Sequence, residues 1–274
     1  MAIANNQDLA GKIEAIKRKG TKSYIDQQQK FNSYSNSAYL LLERKGAIFC
    51  TGNVSFGIGF GMEETIVQRD LDAIEEFIRS QDGITHVQFE LTPYCDPLLL
   101  AMLQERGYSL ERFLAVWVLE LESWQVEEKS SGNNAVVIKA AAEEDRYEWA
   151  WTVAQGISKD GTVSEEAMEA TRTFLEVAGN HGFLLKENGE SVAGGTLAID
   201  GQLAELFLAS TVKEHRGRGH QNRLIEERIR CAKAKGCTYI TVTTEPNTVS
   251  ARNMEKNGFR LIYNKAIVKS REIQ

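Results

Sequence analysis

The stretch LFLASTVKEHRGRGHQNRL, Leu206 to Leu224, combines an apolar run, a short polar turn and basic residues alternating with glycine. This pattern predicts a strand that leads into an anion-binding loop. Gly217 and Gly219 lack a Cβ, so the backbone can turn tightly and present its N–H groups to a ligand. A helix expected from Gly219 to Lys235 would add unpaired N–H groups and a partial charge of about +0.5 there. Taken alone, the sequence RGRG is equally compatible with a solvated basic turn.

The residues before this loop predict an antiparallel meander. Three strands are expected at Gly182 to Glu187, Ser191 to Ile199 and Leu203 to Ser210. Asn188-Gly189 and Asp200-Gly201 separate them, and such pairs are strong hairpin signals. After the loop and its helix, Tyr239 to Thr243 should form a strand parallel to the third strand of the meander, because a helical crossover joins parallel strands.

The rest of the second half alternates strand and helix. A strand is expected at Val136 to Lys139, helices at about Glu143 to Gln155, Ser164 to Val177 and Ser250 to Lys256, and a last strand at Leu261 to Lys269. Trp149 and Trp151 cannot share one face of a helix because they are two residues apart. At least one of them should lie in the core.

The first half has a similar order of elements. An amphipathic helix begins near Leu9, Ala38 to Gly52 reads as two strands, and further elements are expected at Leu71 to Ile78 (helix), Ile84 to Leu91 (strand), Leu98 to Glu105 (helix) and Phe113 to Leu121 (strand). Residues 84–121 can be laid on the C-terminal part of the chain as strand, proline, helix, Gly-aromatic and strand, which indicates an internal duplication. We therefore expect domains at 1–124 and 135–274, joined by a polar linker at 125–134.

Composition limits the classes of function. Hydrophobic residues make up 42% and charged residues 26% of the 274 residues, as in soluble globular proteins. The net charge of −6 argues against general binding to nucleic acids or anionic membranes, so a local basic loop points to a small anionic ligand. We expect a cytoplasmic protein, since the sequence has neither a signal peptide nor a long apolar run.

Cysteine and histidine residues do not follow metal-binding spacings. The four cysteines (Cys50, Cys95, Cys231, Cys237) and the four histidines (His86, His181, His215, His220) are scattered. We expect reduced thiols and no metal site.

The second half resembles the GNAT superfamily of acyl-CoA-dependent N-acyltransferases. The family's diphosphate motif is Gln or Arg, two residues, Gly, one residue, and Gly or Ala, and here it reads Arg216, Gly217, Arg218, Gly219, His220, Gln221. A second signature is represented by Asn247, Ser250 with Ala251, and Gly258-Phe259. The resemblance implies a mixed, mostly antiparallel GNAT-type α/β (α+β) sheet flanked by helices, in two tandem copies.

The resemblance also implies acetyl-CoA as the co-substrate and no metal. The pantetheine arm would pair with main-chain groups near Ser210, Thr211 and Val212, and the diphosphate with N–H groups of the segment from Gly217 through Arg218, Gly219, His220 and Gln221 to Asn222. Gln221 stands where the family has Gly or Ala, and its side chain could narrow the space in which this segment would hold the diphosphate. Asn247 would hold the pantetheine or thioester, or it is simply a turn or helix-cap residue.

The residues that would carry the chemistry are less defined. Glu205 stands where histone-acetylating relatives have a glutamate and would be the general base, unless it is a solvent-facing strand residue; Glu245 is the second candidate. Met254 occupies the place at which many relatives have a tyrosine that acts as the general acid and protonates the departing thiolate. Tyr263 could substitute for that tyrosine, but a packing role is favoured.

The first half resembles a degenerate copy of the same fold. Gly57, Gly59 and Gly61 are followed there by Glu63 and Glu64, whose carboxylates would repel a diphosphate. The leading interpretation of the chain is an N-acetyltransferase acting on an amine of a small molecule or peptide. A catalytically silent acyl-CoA sensor or scaffold is the alternative, ahead of an unrelated nucleotide-phosphate protein. A homodimer is compatible with the sequence.

Overall fold

The computed structural model describes residues 6–31, 37–125, 135–140 and 142–273. The chain forms two compact units. Unit 1 comprises Met1–Val116 with Leu261–Gln274, and unit 2 comprises Trp117–Arg260. The boundary therefore falls inside a strand, and the C-terminal strand belongs to unit 1.

Unit 1 is built from strands and helices in the order β-β-β-α-β-α-β after an N-terminal helix. Its elements are α1 (Asn6–Phe31), β1 (Ala38–Leu42), β2 (Gly46–Thr51), β3 (Val54–Ile58), α2 (Gln68–Arg79), β4 (Gln88–Leu91), α3 (Pro97–Glu105) and the first part of β5 (Ser109–Glu120). The C-terminal strand β11 (Arg260–Lys269) joins this unit from Leu261 onward.

The sheet of unit 1 starts as a meander. β1, β2 and β3 pair antiparallel, β3 then pairs parallel with β4, and β11 lies between β4 and β5. One face of α2 packs into the core through Leu71, Ile74 and Ile78, which are fully buried. This spacing of three and four residues is that of an amphipathic helix.

After the end of β5, one further strand and two leading helices, unit 2 has the order β-β-β-α-β-α, which is that of unit 1 without the last strand. Its elements are the end of β5, β6 (Ala135–Ala140), α4 (Glu143–Ile157), α5 (Glu165–Thr173), β7 (Asn180–Glu187), β8 (Glu190–Asp200), β9 (Leu203–Thr211), α6 (His220–Ala234), β10 (Tyr239–Thr244) and α7 (Val249–Lys256). Short 3-10 helices lie at Phe174–Glu176 and Lys213–His215.

The sheet of unit 2 has the order β5-β10-β9-β8-β7-β6. All neighbours from β6 to β9 pair antiparallel, and β9 pairs parallel with β10. Helices cover both faces. An added Cβ at Gly194 would meet Val153 of α4, whereas one at the next residue, Gly195, would meet the Arg228 guanidinium of α6. Because successive strand residues face opposite sides, α4 and α6 lie on opposite faces of the sheet.

A β-bulge interrupts β9. Gly194 pairs with Ser210 and Thr196 with Phe207, so β9 has one residue more than β8 between these pairs. Leu208 lies in this bulge with a φ of +44°, a backbone conformation that is unusual for a residue with a branched side chain. The paired residues of β9 and β10 run only as far as Leu206 and Val242, although both strands continue. The two parallel strands therefore separate at their carboxyl ends.

The structure confirms the mixed, mostly antiparallel sheet, the meander and the parallel pair. It also corrects details. The glycine-rich piece near Phe56 is a strand, β3, and the strand expected from Ile84 begins only at Gln88. The linker predicted at 125–134 lies, apart from Gln125, outside the described residues, and the domain bounds 1–124 and 135–274 stay a prediction. No helix in the described part of the chain is long and apolar enough to cross a membrane.

Candidate functional site

A cavity of about 1000 Å³ opens in unit 2 where β9 and β10 separate. Its walls are formed by the end of β9, the loop before α6 and the first turns of α6. The part of β10 at which the gap begins (Val242 and Thr243) and one side of α7 complete the walls. Seven of the predicted site residues line it: Ser210, Thr211, Gly217, Gly219, His220, Gln221 and Asn222. The lining does not include Val212, Arg218, Asn247, Glu205 or Glu245, although all five are described.

The loop before α6 exposes its backbone to this cavity. Gly217 and Gly219 have φ of +78° and +82°, the left-handed region that favours glycine. Among the described residues, no heavy atom other than those of the glycine itself and its two chain neighbours lies within 4 Å of a Cβ built at either position. Gly219 is the N-cap of α6, and the helix supplies no acceptor for the N–H groups of Gly219, His220 and Gln221, whereas the N–H of Asn222 donates to the carbonyl of Gly219 at 3.1 Å. The loop can therefore offer N–H groups and a positive helix end to an anion.

The loop arginines also make contacts within the protein. The Nε of Arg216 donates to the carbonyl of Thr211 (3.0 Å) and its Nη2 to the carbonyl of Gly156 (2.8 Å). Arg218 donates to Oε2 of Glu187 at 2.9 Å, so a carboxylate offsets its charge. Arg216 thus ties the loop to both β9 and the end of α4.

Gln221 and Asn222 are held by side-chain hydrogen bonds. The amide of Gln221 donates to Oγ1 of Thr211 (2.9 Å), and Oδ1 of Asn222 accepts from the amide of Asn257 (3.1 Å). The first turn of α6 is therefore fixed both to the end of β9 and to the end of α7.

The end of α4 approaches β9 closely. Ser210 donates from its hydroxyl to the carbonyl of Val153 at 2.9 Å, and a Cβ at Gly156 would collide with the Ser210 side chain. Only glycine at position 156 allows this approach, which forms one wall of the cavity.

Arg228 lies beneath the bulge and is 1% exposed. Its Nη1 donates to the carbonyl of Thr196 (3.0 Å) and its Nε to the carbonyl of Leu224 (3.0 Å). Burial lowers the pKa of Arg228 to about 9, which still leaves the guanidinium charged at neutral pH. A buried, charged donor at this point satisfies a carbonyl of the bulged region and adds positive charge to the cavity wall.

The two candidate bases occupy different environments. Glu205 is 9% exposed in the paired part of β9, opposite Thr241, one residue before the lining of the cavity begins. Glu245 is exposed just after β10, and its carbonyl accepts from the hydroxyl of Thr248, the N-cap of α7.

Asn247 and Met254 also differ in exposure. Asn247 is exposed and has φ of +61°, and its carbonyl accepts from Arg252 at 3.3 Å. Met254 is 3% exposed and lines the cavity. Tyr263 belongs to unit 1, where its hydroxyl donates to Glu14 at 3.2 Å, so its observed role is packing and hydrogen bonding there.

Two histidines and a glutamate meet beside the loop. His215 Nδ1 lies 3.3 Å from Oε2 of Glu187, and His220 Nε2 lies 3.7 Å from Oε1 of the same residue. Burial and neighbouring cationic groups lower the pKa of His220, against the opposing effect of Glu187. The imidazole of His220 is therefore neutral at pH 7.

Most of the second half of the chain matches the model of a known protein family. Residues 143–259 match the model of the acetyltransferase (GNAT) family. This segment is therefore similar to the acetyltransferases of the GNAT family. The matched segment runs from the start of α4 to Phe259, so it includes the loop and the walls of the cavity. No curated protein matches the sequence.

Solved structures resemble the chain over nearly its whole length. A GCN5-related N-acetyltransferase from Kribbella flavida has a TM-score of 0.67 and 14% identity, with 98% of this chain and 96% of that chain covered. A tandem GNAT protein from the clavulanic acid biosynthesis pathway has a TM-score of 0.64 and 12% identity over 98% and 96%. A GCN5-related N-acetyltransferase from Sphaerobacter thermophilus gives 0.62 and 13% over 98% and 94%. The fold is that of a tandem GNAT protein.

Three glycines of unit 1 pack against neighbouring residues and do not form an open loop. A Cβ at Gly57 would meet Phe60 at 2.8 Å, one at Gly59 would meet Arg18 at 3.2 Å, and one at Gly61 would meet the main-chain N of Asp96 at 3.2 Å. Glu63 and Glu64, which follow them, form ion pairs with Arg18 and Arg44. Protein atoms fill the space around these glycines, whereas unit 2 has open space at Gly217 and Gly219.

The sequence did not predict several residues of the cavity in unit 2. Gly156, Arg228, Thr243 and Asn253 line it. Gly156 follows directly after the helix predicted at Glu143 to Gln155, where a glycine is typical of a helix C-terminus, so its packing role left no separate signal. Arg228 could not be identified from the sequence, because a charged residue in a helix of mixed composition is typical of the solvent-exposed face.

Proposed function

We propose that this chain is an acetyl-CoA-dependent N-acetyltransferase that moves an acetyl group to a primary amine of a small molecule or peptide. The observation that carries the proposal is the open glycine loop at the N-terminus of α6, facing the gap between β9 and β10. GNAT acetyltransferases in general use acetyl-CoA and act on amine acceptors. The acceptor class and the assignment of residues belong to the proposal.

The diphosphate of the donor would bind the N–H groups from Gly217 to Asn222. The αL conformations of Gly217 and Gly219 and the free space at both positions support this assignment. Arg218 would contribute less than its charge suggests, since Glu187 holds its guanidinium. The positive end of α6 and the main-chain N–H groups would therefore dominate.

The pantetheine arm would extend along β9 at Ser210, Thr211 and Val212. Neighbouring parallel strands usually satisfy each other's main-chain groups, but β9 and β10 have no registered pairs beyond Leu206 and Val242. Main-chain groups of β9 at the gap are thus candidates for pairing with an extended amide-containing chain. The N–H of Val212 already donates to the carbonyl of Val192, and its carbonyl accepts from the N–H of His215 at 3.0 Å. Val212 would therefore contribute only through the second lone pair of that carbonyl.

The amine must lose a proton before it attacks the thioester. A primary amine with a pKa of about 10.4 is neutral in only about one molecule in 2,500 at pH 7, a cost of roughly 4.6 kcal/mol. Glu205 is the proposed base and Glu245 the second candidate. Glu205 is favoured because it is nearly buried on the strand that borders the cavity, whereas Glu245 is exposed beyond the strand end. The amine nitrogen forms the new bond to the acetyl carbon, and the thiolate of CoA leaves.

The leaving group needs little assistance. Met254 lines the cavity and cannot donate a proton. A thiol with a pKa near 8.5 leaves as a thiolate without a strong acid. The same methionine favours the second candidate function, a catalytically silent acyl-CoA sensor or scaffold, because no acid is supplied at that place.

The test combines binding and turnover. Acetyl-CoA at about 100 times its dissociation constant should raise the free energy of unfolding by about 2.7 kcal/mol and shift the thermal melt, whereas ATP and NAD should not. CoA release measured chromatographically over a panel of amines then separates the two functions. Acetyl-CoA binding with release of CoA supports the enzyme, binding without release on any amine supports the sensor, and no shift with either CoA or acetyl-CoA contradicts both. Cytoplasmic location and a homodimer stay predictions.

A further inference from the structure

Three residues with metal-binding side chains converge outside the proposed catalytic groups. Glu187 ends β7, His215 ends the short helix Lys213–His215, and His220 is the first residue of α6. One possible ligand atom of each lies within 4.8 Å of the others. Three segments that are distant in sequence thus bring two imidazoles and a carboxylate to one point.

His220 is the unusual member of this group. It is 2% exposed, and neither ring nitrogen has a hydrogen-bond partner among the described residues. Leaving a buried polar group unsatisfied costs about 1–3 kcal/mol, and such groups call for a specific explanation. Its Nε2 points toward Oε1 of Glu187 at 3.7 Å, beyond hydrogen-bond distance but close enough for both atoms to contact one ion.

The distances fit a small ion. Ligand atoms about 2.1 Å from a tetrahedral Zn²⁺ are about 3.4 Å apart. His215 Nδ1 lies 3.3 Å from Oε2 of Glu187 and His220 Nε2 lies 3.7 Å from Oε1, so each imidazole is near that separation from one of the two carboxylate oxygens. Arg218 donates to Oε2 of Glu187 at 2.9 Å and fixes the carboxylate, as outer partners of metal ligands commonly do. Oε1 then faces His220.

We propose that Glu187, His215 and His220 form a binding site for one divalent transition-metal ion of the Zn²⁺ type. Imidazole and carboxylate together suit Zn²⁺ and its neighbours in the first transition series, whereas Mg²⁺ and Ca²⁺ prefer oxygen ligands alone. Three protein ligands leave a fourth position for water or another group. The site replaces the expectation, based on sequence spacing, that the chain has none.

The ion would act on the loop. His215 and His220 flank Gly217 and Gly219, so bonds from both to one ion would restrain the loop between them against β7. Glu187 at present offsets the charge of Arg218, and a divalent ion would make the sum of these groups positive. Tighter binding of a diphosphate is the expected consequence, and this consequence, unlike the site itself, rests on the proposed function.

The experiment uses the full chain after treatment with a chelator. Zn²⁺ is titrated calorimetrically without coenzyme, and Co²⁺ is titrated with visible and near-ultraviolet absorption as the readout. His215→Asn and Glu187→Gln change partly exposed side chains, so they are expected to fold. His181→Asn is the matched control, a histidine of the same unit outside the cluster. Mg²⁺ is the control ion.

We expect one Zn²⁺ per chain with micromolar or tighter affinity, at least about ten-fold weaker in both cluster variants and unchanged in His181→Asn. Co²⁺ should give visible bands without thiolate charge transfer. The proposal is overturned if Zn²⁺ does not bind, if both cluster variants bind it like the wild type, or if a thiolate band shows that cysteines hold the metal. The result does not depend on acetyl transfer, so failure of the proposed function would leave it standing.

Discussion

The side-chain amide of Gln221 donates a hydrogen bond to Oγ1 of Thr211, 2.9 Å away, and so joins the first turn of α6 to the end of β9. The amide nitrogen is directed at the strand end. The main-chain N–H of Gln221 belongs to the first turn of α6, where it has no partner within the helix. The side chain of Gln221, which stands where the GNAT motif has a small residue, is thus held beside the diphosphate-binding loop. The main-chain N–H of Gln221, through which the motif would bind the diphosphate, is unchanged.

Gln221 provides the first prediction. Gln221→Ala should change the dissociation constant for acetyl-CoA by less than about three-fold, because the main-chain N–H is unchanged. Gln221→Glu should weaken binding roughly ten-fold, since a carboxylate near a diphosphate costs about 1–2 kcal/mol at the dielectric of a protein surface. Calorimetric titration measures both. Equal affinities of the two variants would mean that the diphosphate binds elsewhere.

Gly219 provides the second prediction. Gly219→Ala should lower the free energy of unfolding by about 1 kcal/mol because φ is +82°, and it should weaken acetyl-CoA binding by displacing the loop. Gly201→Ala is the matched control: Gly201 has φ of +59° in a hairpin turn and likewise has free space at its Cβ. Denaturant unfolding should show a similar loss of stability in both variants, and calorimetry a loss of affinity only in Gly219→Ala. Normal affinity in Gly219→Ala would argue against the loop as the donor site.

Glu205 provides the third prediction. Glu205→Gln should lower kcat for an identified amine at least about ten-fold at pH 7, since general bases contribute roughly 10²–10⁴-fold. The dissociation constant for acetyl-CoA should change little, because the side chain does not line the cavity. Glu245→Gln is the comparison, and steady-state kinetics over pH 6 to 10 separates the two. A large loss in Glu245→Gln with normal turnover in Glu205→Gln would reverse the assignment.

The order of elements could be read from the sequence because it depends on local patterns. Asn188-Gly189 and Asp200-Gly201 determine the hairpins of unit 2, and both occur at the predicted turns. β3 was missed because its glycine, Gly57, lowers strand propensity; it is there because Phe60 occupies the space of a Cβ. That reason is tertiary and leaves no local signal.

The candidate site, like the order of elements, could be predicted from the sequence only where it depends on local patterns. Gly217 and Gly219 line the cavity, and their left-handed conformations are a local property that the sequence could predict, whereas their binding of a diphosphate stays a prediction. The bulge at Leu208 and the meeting of Glu187 with His215 and His220 depend on pairing between strands distant in sequence. Histidine spacing along the chain therefore gave no indication of the cluster.

Gly156 provides the fourth prediction. Gly156→Ala should lower the free energy of unfolding by about 1–3 kcal/mol, because the new methyl group overlaps Ser210 and forces α4 away from β9. Ser210→Gly removes most of that overlap, so the double variant should recover part of the loss. A double-mutant cycle by denaturant unfolding measures the coupling. Additive losses would show that α4 and β9 are not in the contact described.

Glu90 provides the fifth prediction, in unit 1. Burial raises the pKa of this carboxyl, but Lys17 and Lys265, at 3.2 and 2.9 Å from Oε2, hold it down to about 2. Lys265 also pairs with Glu14 at 2.7 Å. The folded pKa lies below the unfolded one, so the unfolded state binds more protons in between. Stability from Glu90 is therefore complete above about pH 5 and is lost as pH falls toward 2, by at most about 3 kcal/mol.

Hydrogen exchange of peptides from β4 and β11 measures this loss within unit 1 itself. Wild type should lose protection there progressively between pH 5 and pH 2, after correction for the intrinsic exchange rate. Glu90→Gln should be less protected at pH 7, because Lys17 and Lys265 lose a charged partner, and its protection should vary less with pH. Glu105→Gln, an exposed change at the end of α3, should keep the wild-type pH dependence. If Glu90→Gln keeps that dependence too, acid sensitivity of unit 1 arises from other carboxylates.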